Sequence, residues 1–122
     1  MTQNASTQQH ENFLNRLRSQ PETIEFSDTM NEIDVAYDFT ETAFSNGQQQ
    51  NAAGENNGSC KLFAFAKELE LTEPETLACF GTYYRNDVLS NPTGTDHQNI
   101  RNFITHGWPG IVFQGTALQR LA

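Results

Sequence analysis

The segment from Ser59 to Leu71, SCKLFAFAKELEL, constrains the fold more than any other part of the chain. Leu62, Phe63, Phe65, Ala66 and Leu69 leave little of a helix surface polar, and a helix that is apolar nearly all round has to be enclosed by other elements. This is the expected central helix, and the rest of the chain must supply its walls. Amphipathic stretches do so. From His10, the residues Phe13, Leu14 and Leu17 recur at helical spacing in an element that stops before Pro21. Ser27 is placed to cap a second helix starting at Asp28, with Met30, Ile33 and Tyr37 along one stripe. Thr72-Glu73-Pro74-Glu75 is a capping box with proline in the first turn, and it opens a fourth helix with the stripe Leu77, Phe80, Tyr84 and Val88. After a turn at Gly94, Thr95-Asp96-His97-Gln98 reads as a second capping box, for a fifth helix bearing Ile100, Phe103 and Ile104 and closed by Gly107.

Extended structure is expected in two places. Phe39 to Phe44, rich in Thr and Phe, reads as a short strand ending at Asn46-Gly47, and Ile111-Val112-Phe113 as a second strand able to pair with it. Thr116 to Leu121 reads as a terminal helical turn. Residues 46–58 hold seven side-chain amides and three glycines in thirteen residues, the composition of a loop. A loop of that length in a compact domain is mobile or belongs to a site. The expected fold is α+β and mainly α: one compact domain over residues 10–122, with about five helices and a small two-stranded antiparallel β element. Residues 1–9 are polar and amide-rich, without the apolar run of a secretory signal or anchor, and are expected to be frayed or disordered.

Charge narrows the choice of partners. The chain has 122 residues, with 15 acids against 7 bases, for a net charge of −8. Such a surface offers no basic footprint to nucleic acid or anionic lipid, and no stretch approaches the ~18 apolar residues of a membrane span. Cys60 and Cys79 show neither CxxC spacing nor the density of a disulfide scaffold, which points to a reducing, cytoplasmic setting. All of the excess acid lies between Ser19 and Cys60: Glu22, Glu25, Asp28, Glu32, Asp34, Asp38, Glu41 and Glu55 occur there without a Lys or Arg. That window reads either as solvated surface or as a docking patch for a basic partner.

Four groups of residues bear on chemistry. Asn57-Gly58-Ser59-Cys60-Lys61 combines a glycine, a helix N-terminus and a lysine, which suits an anion; the same residues also serve as an ordinary helix entry. It is not a phosphate-binding Walker loop, since three residues separate Gly54 from Gly58 and two more precede Lys61. Cys60, in the first turn beside Lys61, has the setting of an activated thiol, with His97 and His106 as possible partners; it equally suits a small buried hydrophobe. Asp96, His97, Arg101, His106 and Trp108 gather around the fifth helix. The two histidines are nine residues apart, about 13 Å of helical rise, which rules out a shared metal on one face. No metal or cofactor is therefore implied, and capping and packing roles are the plainer reading. Finally, Tyr83, Arg85 and Asp87 share one short segment. Tyr83 and Asp87 are i, i+4 neighbours able to line a polar pocket with Arg101, or to leave a plain exposed Arg/Asp pair.

Taken together, FSDTMNEIDVAYDFTETAF, NAAGENNGSCKLFAFAK, TLACFGTYYRNDVLSNPTGTDHQNIRNF and HGWPGIVFQG closely resemble the HopJ type III effector family, from about Phe13 to Leu118. The family takes its name from a protein of a plant-pathogenic bacterium classed as an effector delivered through a type III secretion apparatus. Similar sequences occur in bacteria without an obvious host and in some algae. The resemblance carries no established catalytic residues onto this chain. It does mark Asn51 to Lys61, Tyr83 to Asp87, Asp96 to Arg101 and His106 to Trp108 as family motifs, and we expect these to meet at one concave site. The functional reading is an effector-like protein that acts by binding a protein or small-molecule partner, with oligomeric state open. Export by a type III system is compatible with the acid-free, Ser/Thr/Asn/Gln-rich residues 1–10. The alternatives are a cytoplasmic ligand-binding or metabolic protein with an anion site at Gly58–Lys61, and a Cys60-dependent thiol enzyme.

Overall fold

The structure, a computed structural model, describes residues 10–121; the expectations for residues 1–9 lie outside them. The first helix, α1 (Glu11–Ser19), buries Phe13, Leu14 and Leu17, as their spacing predicts, and leads into a 3₁₀ turn at Pro21–Thr23. The second, α2 (Phe26–Ala36), begins before Ser27, and its N-cap is Glu25. The Asp28 carboxylate reaches back to accept from the Glu25 N–H at 2.9 Å, so the acid expected to begin the helix closes the cap from its third position. Ile33 is fully buried on the expected stripe. Tyr37 lies instead on a strand, β1 (Tyr37–Phe39).

The amide-rich stretch is only partly a loop. β2 (Phe44–Asn46) turns at Gly47, which has φ +62, into β3 (Gln49–Asn51), with Asn46 opposite Gln49. A two-residue turn with left-handed backbone matches the right-handed twist of the strands it joins. Phe39 to Phe44 is not the single strand expected, because its two ends pair in different sheets and residues 40–43 between them are irregular. Ile111–Phe113 does form a strand, β4, and it pairs antiparallel with β2, giving a three-stranded sheet of order β3-β2-β4. The expected terminal helical turn is a further strand, β5 (Leu118–Arg120), paired with β1. Its flanking backbone explains why. Thr40 N–H donates to the Ala117 carbonyl at 2.8 Å and Leu121 N–H to the Ala36 carbonyl at 2.9 Å, which commits groups that a helical turn would have paired internally.

At the centre lies α3 (Asn57–Glu68), with Leu62, Phe63, Phe65 and Ala66 all at 0 % exposure. It starts one half-turn before Ser59, because Asn56 adopts the left-handed conformation (φ 53) and takes the N-cap position; asparagine tolerates that backbone better than most residues. The capping box at Thr72 forms as expected at the start of α4 (Glu73–Ala78): Thr72 Oγ1 accepts from the Glu75 N–H at 3.2 Å, and the Glu75 carboxylate accepts from the Thr72 N–H at 2.9 Å. The single fourth helix expected through Val88 is broken at Gly81 (φ +64) and resumes as a π-helical turn, Tyr83–Val88. The last helix, α5 (Gln98–His106), ends at Gly107 as predicted, but its second capping box does not form. His97 is the N-cap with φ 52, and Gln98 Nε2 donates to the Thr95 carbonyl at 2.6 Å. A 3₁₀ turn at Trp108–Gly110 then leads to β4. The chain is thus mainly α with small antiparallel sheets, which among the described residues hold five strands in three pairings where two strands in one pairing were expected. Among the described residues no helix is long and apolar enough to cross a membrane.

Half of the acidic window is engaged by bases from outside it. Asp28 pairs with Arg16 at 3.3 Å, Asp34 with Lys61 at 3.0 Å, Glu25 with Arg85 at 3.2 Å and Glu32 with His10 at 2.6 Å. These pairs tie α2 to α1, α3 and the π-helical turn, so the window is less a bare acidic face than a seam.

Candidate functional site

A cavity of about 360 Å³ opens where α3, the π-helical turn and α5 meet. From α3 come Gly58 and Ser59, with the N-cap Asn56; from α5 come Gln98, Asn99 and Ile100, with the N-cap His97. Tyr83, Phe26, Phe80 and Gln49 complete the lining. Both helices therefore present their N-termini to one space, and neither N-cap side chain turns back on its own helix. First-turn amides have no partner within a helix, and each N-terminus carries the positive end of the helix dipole.

Local sequence explains the shape. Gly58 admits the Phe26 ring: a Cβ there would stand 2.7 Å from Phe26 Cζ. His97 holds a left-handed backbone that costs a non-glycine residue roughly 1–2 kcal/mol, and its ring is fixed on both sides. Asp87 Oδ2 lies 3.1 Å from its Nε2, Asp96 Oδ2 lies 3.9 Å away, and the Tyr83 ring sits at a centroid distance of 5.2 Å. Behind the cavity a set of carboxamides joins β2, β3 and the two helix starts. Asn46 Nδ2 donates to the Asn99 carbonyl at 2.7 Å and Asn51 Nδ2 to Asn99 Oδ1 at 3.3 Å, while Asn56 Nδ2 and Gln49 Nε2 converge on Asn51 Oδ1 at 2.8 and 3.1 Å. Buried amides of this kind specify one arrangement when they are satisfied. Among the described residues only Asn46 Oδ1 is a buried side-chain polar atom without a partner.

The sequence-derived candidates divide cleanly. Gly58, Ser59, Tyr83 and His97 line the cavity, and Asp87 reaches it through His97. Asn57 opens α3 without lining it. The long basic side chains turn elsewhere. Lys61 Nζ lies 3.0 Å from Asp34 and over the Phe39 ring at 5.1 Å, which removes the cation from the expected Gly58–Lys61 anion site. Arg85 donates to the Ile24 carbonyl at 2.8 Å and pairs with Glu25. Arg101 pairs with Asp96 at 2.6 Å and donates to the Asn91 carbonyl at 2.9 Å, so it does not join Tyr83 and Asp87. The Arg101 hydrogen bond holds the Asp96 carboxyl below its ordinary range.

His106, at the far end of α5, packs over Gly47 and Gly110, and Trp108 packs edge-on against Phe63 and Phe103 with its indole N–H on the Leu71 carbonyl at 3.0 Å. Three of the four family motifs therefore converge, while the His106–Trp108 motif lies apart from the cavity, with Trp108 packed against the core and His106 exposed. Phe26 and Phe80 line the cavity as well, and nothing in the motif pattern distinguishes them from ordinary apolar-stripe residues. Gln49 belongs to the amide-rich stretch whose length already pointed to a site. Among the described residues no cluster of three His, Cys, Asp or Glu side chains is suited to hold a metal.

Cys60 does not fit the thiol reading. It is 1 % exposed with its Sγ facing the Thr42 carbonyl at 3.9 Å, and burial pushes its thiol up to about 11. Cys79, also buried, is pushed up to about 12. Both thiols stay protonated at neutral pH, and the thiolate is the nucleophile. Native protein at pH 7.5 is accordingly expected to resist iodoacetamide for hours and to label at both cysteines once unfolded in urea. Stoichiometric labelling of Cys60 in the native state within minutes would show this description of the thiol to be wrong.

The geometry defines a small mainly α domain with an aromatic and carboxamide-lined cavity between helix N-termini. Residues 10–118 match the family described as HopJ type III effector protein, and the chain belongs to that family. It is also similar to a protein of unknown function, VPA0580, whose crystal structure superposes with a TM-score of 0.89 at 52 % identity, over 98 % of this chain and 96 % of that one. No curated protein matches it significantly.

Proposed function

We propose that this HopJ-family protein acts by binding a small molecule in the cavity between α3, the π-helical turn and α5. One observation carries the reading: three motifs far apart in the chain supply Gly58 and Ser59, Tyr83, and His97 to Asn99 to a single concave space. A fold needs helix ends, but it does not need them to face one another around a cavity lined by rings and amides; such convergence is what ligand sites have in common. Its volume falls at the lower end of the range typical of small-ligand pockets, about 300–1,000 Å³.

The test is thermal-shift screening against polar metabolites, combined with mass spectrometry of small molecules released from freshly purified protein. At least one compound is expected to raise the melting temperature of the wild type, and Ser59→Trp, which fills the cavity, to abolish that shift while keeping the native circular-dichroism spectrum. No stabilising compound and none released would defeat the proposal. The family description separately favours delivery by a type III apparatus. A reporter fused to the first fifty or so residues should then leave a cell with a working apparatus, and retention would remove effector status while leaving the cavity reading intact.

A further inference from the structure

We infer that the cavity takes a planar, uncharged nitrogen heterocycle of the nucleobase type; this rests on the small-molecule reading above. Charge is the first argument. No Lys or Arg lines the cavity; Lys61 and Arg85 are each held by a carboxylate elsewhere, and Arg101 is paired with Asp96 at 2.6 Å. Asp87 lies 3.1 Å from His97 Nε2, and the chain as a whole carries −8. A phosphate or carboxylate would enter against that field with backbone dipoles as its main support.

The rings are the second argument. Phe80, Phe26, Tyr83 and His97 form a continuous row, with successive centroids 6.1, 5.3 and 5.2 Å apart. All four line the cavity, and Tyr83 is 43 % exposed. The exposed Tyr83 and the half-buried Phe26 and His97 put aromatic surface beside the cavity. Aromatic side chains are what proteins stack bases against, since the flat faces of bases differ little from one another.

The polar lining is the third. Asn56 spends its nitrogen on Asn51 Oδ1 at 2.8 Å, which leaves its oxygen as an acceptor. The Ser59 hydroxyl donates or accepts, and the first-turn amides of α3 and α5 donate. Mixed donors and acceptors match the edge of a heterocycle, where ring nitrogens and carbonyls alternate with N–H groups; they do not match an anion, which presents acceptors alone. The carboxamide set behind the cavity holds Asn56, Gln49 and Asn99 in place, so this edge is organised before a ligand arrives.

The probes are adenosine and uridine, with glucose, inorganic phosphate and a short single-stranded oligoribonucleotide as comparisons, each titrated into ¹⁵N-labelled full-length protein. The nucleosides are expected to shift the amides of Gly58, Ser59, Tyr83, Gln98 and Asn99. Tyr83→Ala should weaken binding on the order of tenfold. Asn56→Gly, which keeps the left-handed backbone without strain and gives up the bond to Asn51 Oδ1, should weaken it too, with the spectrum unchanged beyond the carboxamide set and its neighbours, and it serves if Tyr83→Ala fails to fold. A nucleoside that binds while the oligomer does not identifies a free metabolite as the source; equal binding of the oligomer identifies a base within single-stranded nucleic acid. Shifts at these amides from glucose or phosphate, with none from either nucleoside, would overturn the heterocycle and leave the small-molecule reading standing. Silence from every probe also overturns it, and the metabolite screen then decides the broader reading on its own.

Discussion

Phe63→Ala is expected to lower the free energy of unfolding by about 3–5 kcal/mol, the cost of deleting a fully buried aromatic side chain. The ring is at 0 % exposure and joins four elements: its centroid lies 5.0 Å from Phe103 on α5, 5.5 Å from Phe80 after α4, 6.3 Å from Phe44 on β2 and 6.4 Å from Trp108. None of these neighbours can collapse into the space without leaving another contact, because each is held by its own element, and interiors are packed too densely to absorb such a void. A domain of this size has roughly 5–15 kcal/mol in all, so the variant should be marginal at 37 °C. Urea unfolding followed by Trp108 fluorescence measures it: the midpoint should fall with the slope unchanged. Phe63→Leu, which keeps most of the volume, should cost far less. A loss below about 1 kcal/mol for the alanine variant would show that Phe63 does not occupy the centre of the core.

That the same residue stands out in the sequence is no accident. Helix patterns carry their own evidence: the all-round apolar character of α3, the spacing of Phe13, Leu14 and Leu17, the Thr72 capping box and the Gly107 terminus are local facts, and each is realised. What local pattern does not encode is the partner. Ser27 is a better cap than Glu25 by type, yet Glu25 holds the position because its carboxylate also accepts from the Thr82 N–H at 3.2 Å and pairs with Arg85, some sixty residues away. β3 and β5 are short and polar, and they are strands only because β2 and β1 offer them free edges. The site divides along the same line. Gly58, Ser59, Tyr83 and His97 were legible because short or rigid side chains at helix ends stay where the backbone puts them. Lys61, Arg85 and Arg101 were not, since a long flexible side chain is aimed by whichever carboxylate or carbonyl lies within reach, and Asp34 and Glu25 come near only in the folded chain.

Gly81→Ala is expected to cost about 2–4 kcal/mol, combining left-handed strain with a backbone collision. Gly81 has φ +64, and a Cβ there would stand 2.7 Å from both Glu25 Cα and Phe26 N. Those are main-chain atoms, so no rotamer change relieves the contact; either α4 and the π-helical turn part from the start of α2 or the turn itself rearranges. The junction carries Thr82 N–H on Glu25 and the Arg85 guanidinium on the Ile24 carbonyl at 2.8 Å, and it sets the direction from which Tyr83 enters the cavity. Loss of stability should therefore come with loss of any compound found to bind there. Gly54→Ala separates the two contributions. Gly54 is also left-handed, at φ +92, but its added Cβ would meet only the Glu41 carboxylate, the far end of a flexible side chain. The Gly54 variant should show strain alone, roughly 1–2 kcal/mol, and leave the cavity undisturbed. Equal losses in the two variants, measured by urea unfolding, would mean that the close approach of Gly81 to α2 contributes nothing, and that the break in the fourth helix has another cause.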